Sequence, residues 1–132
     1  MNRGLIEFIK EADGLIYLAS PYSSSSAIVR EDRFDAVCVA AANLMRAGLL
    51  IFSPIAHTHP IALCGLPKGW EFWEKYDRQF LEACSGMIVL TLDGWQASKG
   101  IRAEVDIMTN ARKVVAYMDA SDTREAACLF VK

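Results

Sequence analysis

The sequence predicts an α/β protein. The expected architecture is a three-layer, flavodoxin-like (Rossmann-like) parallel sheet of four or five strands, order 2-1-3-4(-5), with helices on both faces. Three observations carry this. Leu15 to Ala19 (LIYLA) is an unbroken apolar run and Met87 to Leu92 is apolar but for Thr91, as central parallel strands covered on both faces require. Between such runs lie longer segments whose apolar residues recur with a helical period. Polar turns, SPYSSSS and DGWQASKG, follow the first and third strands. In this strand order the switch point falls between strands 1 and 3, so the two turns share one crevice, with the loop after strand 2 close by.

The elements follow in order. At 132 residues and 53% hydrophobic, the chain is long enough for one domain (1–132) with a sizeable core. Residues 1–13 read as a short amphipathic helix and not a signal peptide, because charges interrupt the apolar pattern. After strand 1 and its serine-rich loop, Phe34, Val37, Cys38, Ala41, Leu44 and Met45 form one helical stripe, ended by Gly48. Leu49 to Phe52 is the second strand, and SPIAHTHPIALCGLPKG reads as a long connection with three of the four prolines. A helix from about Trp70 to Ala83 leads into strand 3. Asp93 to Lys99 is a turn, and a helix begins near Gly100, followed by a fourth strand from Val114 to Met118. In the tail, 119–132, CLFVK reads as either a fifth, edge strand or a short extension.

Composition narrows the function classes. A formal net charge of −2 gives no general electrostatic case for a nucleic acid polymer or an anionic membrane. No apolar run reaches transmembrane length. The four cysteines (Cys38, Cys64, Cys84, Cys128) lack any CxxC pairing and sit among apolar neighbours, which predicts reduced core thiols in a cytoplasmic protein.

Two carboxylates break the apolar pattern. On the helix after strand 3 the stripe is Ile101, Glu104, Val105, Met108 and Ala111, so Glu104 faces the sheet just beyond a strand end. On the preceding helix the stripe is Trp73, Tyr76, Asp77, Phe80, Leu81 and Cys84, so Asp77 faces inward too. Carboxylates are rarely buried unless paired or used. The bland readings are helix-dipole stabilisation for Glu104, expected in the first turn, and a structural hydrogen bond for Asp77. Ser98 can cap the helix, and Gly100 lets a ligand approach free N–H groups, a setting suited to an anion. Ser20, Tyr22 and Ser23 bring hydroxyls to the end of strand 1, without the glycines of a phosphate-binding loop. His57 and His59 have no third ligand at a recognisable spacing, so no metal and no cofactor are expected, and one histidine should line the crevice. Among the tryptophans, Trp95 is the candidate stacking surface.

These residues resemble the nucleoside 2-deoxyribosyltransferase superfamily, and in particular the small proteins of unknown function attached to it as DUF1937 and DUF4406. The resemblance spans about residues 15 to 118 and rests on IYLASPY, RAGLLIFSPIAHTHPIA and LDGWQASKGIRAE. It implies that Glu104 is a nucleophile that attacks C1′ of the sugar, with Tyr17 positioning it. Ser98 matches a serine that contacts a 5′-phosphate in the related nucleotide hydrolases. Cys84–Ser85 stands where the transferases carry an aspartate for the leaving base; Asp77 and Asp93 are the replacements at hand. The resemblance also implies a homodimer or higher homo-oligomer. The expected function is therefore an N-glycosidase or deoxyribosyltransferase acting on a nucleoside or its 5′-monophosphate. The alternative is a domain that binds a nucleotide or sugar phosphate without cleaving it, and a third reading is a partner-binding domain.

Overall fold

The computed structural model describes residues 1–130. Four strands, β1 (Leu15–Ala19), β2 (Leu50–Phe52), β3 (Gly86–Leu90) and β4 (Val114–Met118), form one parallel sheet in the order β2-β1-β3-β4. The register sets Tyr17 opposite Phe52 on one side and Met87 on the other, so β1 is central. Six α-helices surround it: α1 (Arg3–Glu11), α2 (Ala27–Arg46), α3 (Pro54–Ala62), α4 (Trp70–Ala83), α5 (Lys99–Asn110) and α6 (Ala120–Leu129).

The central strands explain the three layers. Ile16, Leu18, Ile88 and Leu90 point to one face, where they pack with Leu5 and Ile9 of α1, Val37 and Leu44 of α2, and Ala126 of α6. Their neighbours Tyr17, Ala19, Met87 and Val89 point to the other, against Leu81 of α4 and Ile101 and Met108 of α5. Alternation along a strand therefore feeds two separate cores, and both must be apolar. One large polar residue, Tyr17, sits in that pattern, and it faces α5.

Several expectations are corrected. There is no fifth strand among the described residues: Cys128 and Leu129 belong to α6 and Phe130 caps it, while Val131 and Lys132 lie outside the described residues. Asp119 starts α6 with a reciprocal capping box to Asp122, which commits the tail to a helix. The long connection after β2 contains α3, capped by Ser53 with Pro54 in the first turn. Pro60 is tolerated inside this short helix at the loss of one N–H donor. On α2, Met45 is exposed, and Ala40 and Asn43 face inward in its place. There α6 covers α2, and Asn43 lies within hydrogen-bond range of Thr123. Of the cysteines only Cys84 is buried; Cys38 is half-buried, and Cys64 and Cys128 are exposed. All four thiols are free. Among the described residues no helix is long and apolar enough to cross a membrane.

Candidate functional site

The loops after β1 and β3, with α3 and the start of α4, enclose a cavity of about 540 Å³. That volume suits a small ligand, and its place at the strand C-termini beside the switch point is the one the topology favours.

Glu104 lies in the wall of this cavity. It is the sixth residue of α5, so it stands in the second helical turn and not the first. Only 6% of it is exposed. The Tyr17 hydroxyl donates to Glu104 Oε2, joining the one polar residue of the central strand to the one acid of the α5 stripe. Burial pushes the Glu104 carboxyl up to about 8, the Tyr17 hydrogen bond opposes this, and the Asp77 charge adds to it. Glu104 therefore lies beyond the first turn expected for helix-dipole stabilisation, where the dipole mainly acts, and burial raises its carboxyl instead. Tyr17 is itself pushed well above the ordinary tyrosine range, first by burial and then by the neighbouring Glu104 and Asp77.

Asp77 faces the same cavity from α4, 8% exposed, with its Oδ1 lacking any partner among the described residues. Burial raises its carboxyl to about 7. Ser20, at the end of β1 and 6% exposed, also lines the cavity with an unpartnered hydroxyl. Buried polar atoms without partners are uncommon and need a reason, and a polar ligand in the cavity supplies one.

The rim carries three cations and one acid, Glu71. Arg33, Lys68 and Lys99 border the cavity. Arg33 donates to the Ser23 carbonyl at 2.9 Å and the Asp93 carbonyl at 3.1 Å, clasping the loops after β1 and β3 together. Ser98 accepts the Ile101 N–H at 3.2 Å, which leaves its own O–H to donate. The Lys99 and Gly100 N–H groups, first in α5, have no partner inside the helix. An anionic group bound here meets N–H, O–H and ammonium donors together.

The structure thus brings together Glu104, Tyr17, Asp77, Ser20, Tyr22, Ser23, Ser98 and Gly100. Three expected members fall elsewhere. Asp93 is exposed and contributes its carbonyl to Arg33, while its side chain lies outside the cavity lining. Trp95 borders a separate depression beside Tyr117. His57 is exposed on α3 and stacks near Tyr76. Neither histidine lines the cavity: the helical turn of α3 directs His57 away and His59 into the packing behind Tyr22. Ser23 lines the cavity, but its hydroxyl donates to the Lys68 carbonyl. Sequence reasoning missed Arg33, Lys68, Trp70 and Trp73. The tryptophans had a signal, since they precede Asp77 by seven and four residues and so share its face of α4. Among the described residues no three His, Cys, Asp or Glu side chains gather as a metal cluster.

A family model described as a domain of unknown function, DUF1937, matches residues 14–120, a span that includes every residue of the cavity just described. No curated protein matches the chain.

Proposed function

The chain belongs to the DUF1937 family, and from the geometry of its crevice we propose that it cleaves the N-glycosidic bond of a nucleoside or nucleoside 5′-monophosphate, with Glu104 as nucleophile. The observation that carries this reading is the buried Tyr17–Glu104 pair in a ligand-sized cavity shared with a second buried carboxyl, Asp77. The likeness to the nucleoside 2-deoxyribosyltransferase superfamily, resting on IYLASPY and LDGWQASKGIRAE, points the same way.

The chemistry divides between the two acids. Glu104 as carboxylate attacks C1′; the C1′–N bond breaks, its electron pair goes to the base nitrogen, and a protonated Asp77 gives the base its proton. Tyr17 holds the attacking carboxylate in one rotamer. The competent state carries one proton between the two carboxyls, on Asp77. Between about pH 7 and about 8 one proton is shared, but burial raises Glu104 above Asp77, so that proton sits mainly on Glu104 and the competent form is the minor one. A 5′-phosphate is received by Ser98, the first N–H groups of α5, Lys68 and Lys99. The glycosyl ester on Glu104 is then passed to water, which completes hydrolysis, or to a second base, which completes transfer.

One observation favours a second reading, a domain that binds a nucleotide or sugar phosphate without cleaving it. Below about pH 8 burial keeps Glu104 predominantly protonated, and a neutral carboxyl is a poor nucleophile but a good hydrogen-bond partner. The two readings separate in one experiment. The protein and its Glu104→Gln variant are incubated with ribo- and deoxyribonucleosides and their 5′-monophosphates, with and without a second free base, and products are read by chromatography. Release or exchange of base by the wild type that disappears in the variant supports the glycosidase. Saturable binding with every ligand recovered intact supports the second reading.

A further inference from the structure

Behind the cavity wall lies a group of three side chains that the scheme above does not use. Tyr22 borders the cavity and places its hydroxyl 2.6 Å from His59 Nδ1. His59 Nε2 is 2.7 Å from Glu31 Oε2. The imidazole is 3% exposed and is held by Phe34, stacked at 4.4 Å, and by Tyr22, edge-on at 5.4 Å. The Glu31 side chain is half exposed, at 53%. A chain of short contacts therefore runs from the cavity, through a buried imidazole, to solvent.

Its polarity follows from the donors available. A carboxylate at Glu31 only accepts, so in the neutral form of His59 the proton sits on Nε2, and Nδ1 is left to accept from the Tyr22 hydroxyl. Arg30 also donates to the Tyr22 oxygen, so one lone pair of that oxygen remains to accept from a water in the cavity that Tyr22 borders. A hydroxyl bonded to an imidazole that a carboxylate orients is the arrangement used wherever a hydroxyl must lose its proton readily.

Resting on the glycosidase reading, we propose that Tyr22, His59 and Glu31 are the general-base line that activates the water accepting the sugar from Glu104. As the water oxygen bonds to C1′, the C1′–O bond to Glu104 breaks and its electron pair returns to the carboxylate. The water proton passes to the Tyr22 oxygen while the Tyr22 proton passes to His59 Nδ1. The imidazolium formed is balanced by Glu31 and later releases its proton to solvent, and Asp77 takes one up. Tyr22 is the catalytic residue here; His59 and Glu31 are positioning residues. Burial pushes the Tyr22 hydroxyl up, against a counter-pull from Arg30, so a standing tyrosinate is disfavoured and the proton must move on to His59 in the same step.

The test separates the two half-reactions. Tyr22→Phe removes the relay at the cavity, and Glu31→Gln removes its outer end at an exposed position where the fold is not at risk. Each is mixed with a nucleoside that the wild type cleaves. The expected result is a burst of about one base per protein chain, then steady turnover slowed about 100-fold or more. Intact-mass measurement should find one sugar residue attached, absent when Glu104 is also changed. Azide, an anionic nucleophile that needs no base, should restore turnover. In the wild type, nitrogen NMR should find the His59 proton on Nε2. Equal slowing of burst and steady phases, no slowing at all, or no azide rescue overturns the relay and leaves Glu104 as nucleophile. No base release by the wild type from any nucleoside overturns both.

Discussion

Glu104→Gln should change how the stability of this protein depends on pH. In the folded chain the carboxyl of Glu104 is raised from 4.5 to about 8 and that of Asp77 from 3.8 to about 7, in both cases chiefly by burial. In the unfolded chain both ionise near their ordinary values. Between those limits the folded state holds protons that the unfolded state has lost, so stability falls as pH rises. The contribution is complete below about pH 4, declines through the window, and is gone above about pH 8. Each carboxyl contributes a slope of about 1.4 kcal/mol per pH unit where only the unfolded form is ionised. From pH 5 to 6 both groups lie inside the window, and the wild type should lose about 3 kcal/mol. Glu104→Gln keeps the shape and an acceptor for the Tyr17 hydroxyl but has no proton to lose, so the loss over that interval should fall to about half. Urea unfolding at half-unit steps from pH 4.5 to 8.5, followed by tryptophan fluorescence, reads this directly. Equal slopes for wild type and variant would refute the burial argument, since they would mean that Glu104 ionises in the folded state as freely as in water.

Three further outcomes are expected. Tyr17→Phe removes the hydrogen bond that favours the ionised Glu104; the alkaline limb of the kcat/KM profile should move up by on the order of one pH unit, with kcat reduced. Ser98→Ala removes the cap of α5; it should cost about 1 kcal/mol in urea unfolding and raise KM for a 5′-monophosphate more than for the nucleoside. Gly94 has φ of 89°, and a Cβ added there would lie 2.7 Å from Arg33 Nη2. Gly94→Ala should therefore cost about 1–3 kcal/mol, seen as a lower Tm, and loosen the contact between the loops after β1 and β3.

The sequence was most legible where burial is strictest. The spans of β1, α4 and β4 are read correctly because an unbroken apolar run or a regular stripe leaves few alternatives. Glu104 and Asp77 stand out for the same reason, since each interrupts a pattern that must otherwise be apolar, whereas Tyr17, inside an apolar run, is singled out only by the family resemblance. Helix α3 was missed because three prolines outweighed the Ser53–Pro54 start signal, and with it went the placement of both histidines. The α6 helix was missed because its apolar residues, Ala126 chief among them, are small and few. Arg33 was hidden for a different reason. It acts through two backbone carbonyls 70 residues apart in the chain, Ser23 and Asp93, and no local pattern announces such a contact.

The central position of β1 constrains the order in which the chain can acquire its structure. Tyr17 finds one neighbour in Phe52 and the other in Met87. During synthesis the first strand therefore waits with one hydrogen-bonding edge open until β3 has emerged, and Tyr17 waits longer still for Glu104. Long-range parallel pairing of this kind is slow to close and exposes apolar strand surface meanwhile. A fragment ending after α3 would keep α1, β1, α2 and β2 but leave the Met87-side edge of its most apolar strand unpaired. Such a fragment should aggregate rather than fold, and the pair at the heart of the crevice marks the moment when the two ends of the folding problem meet.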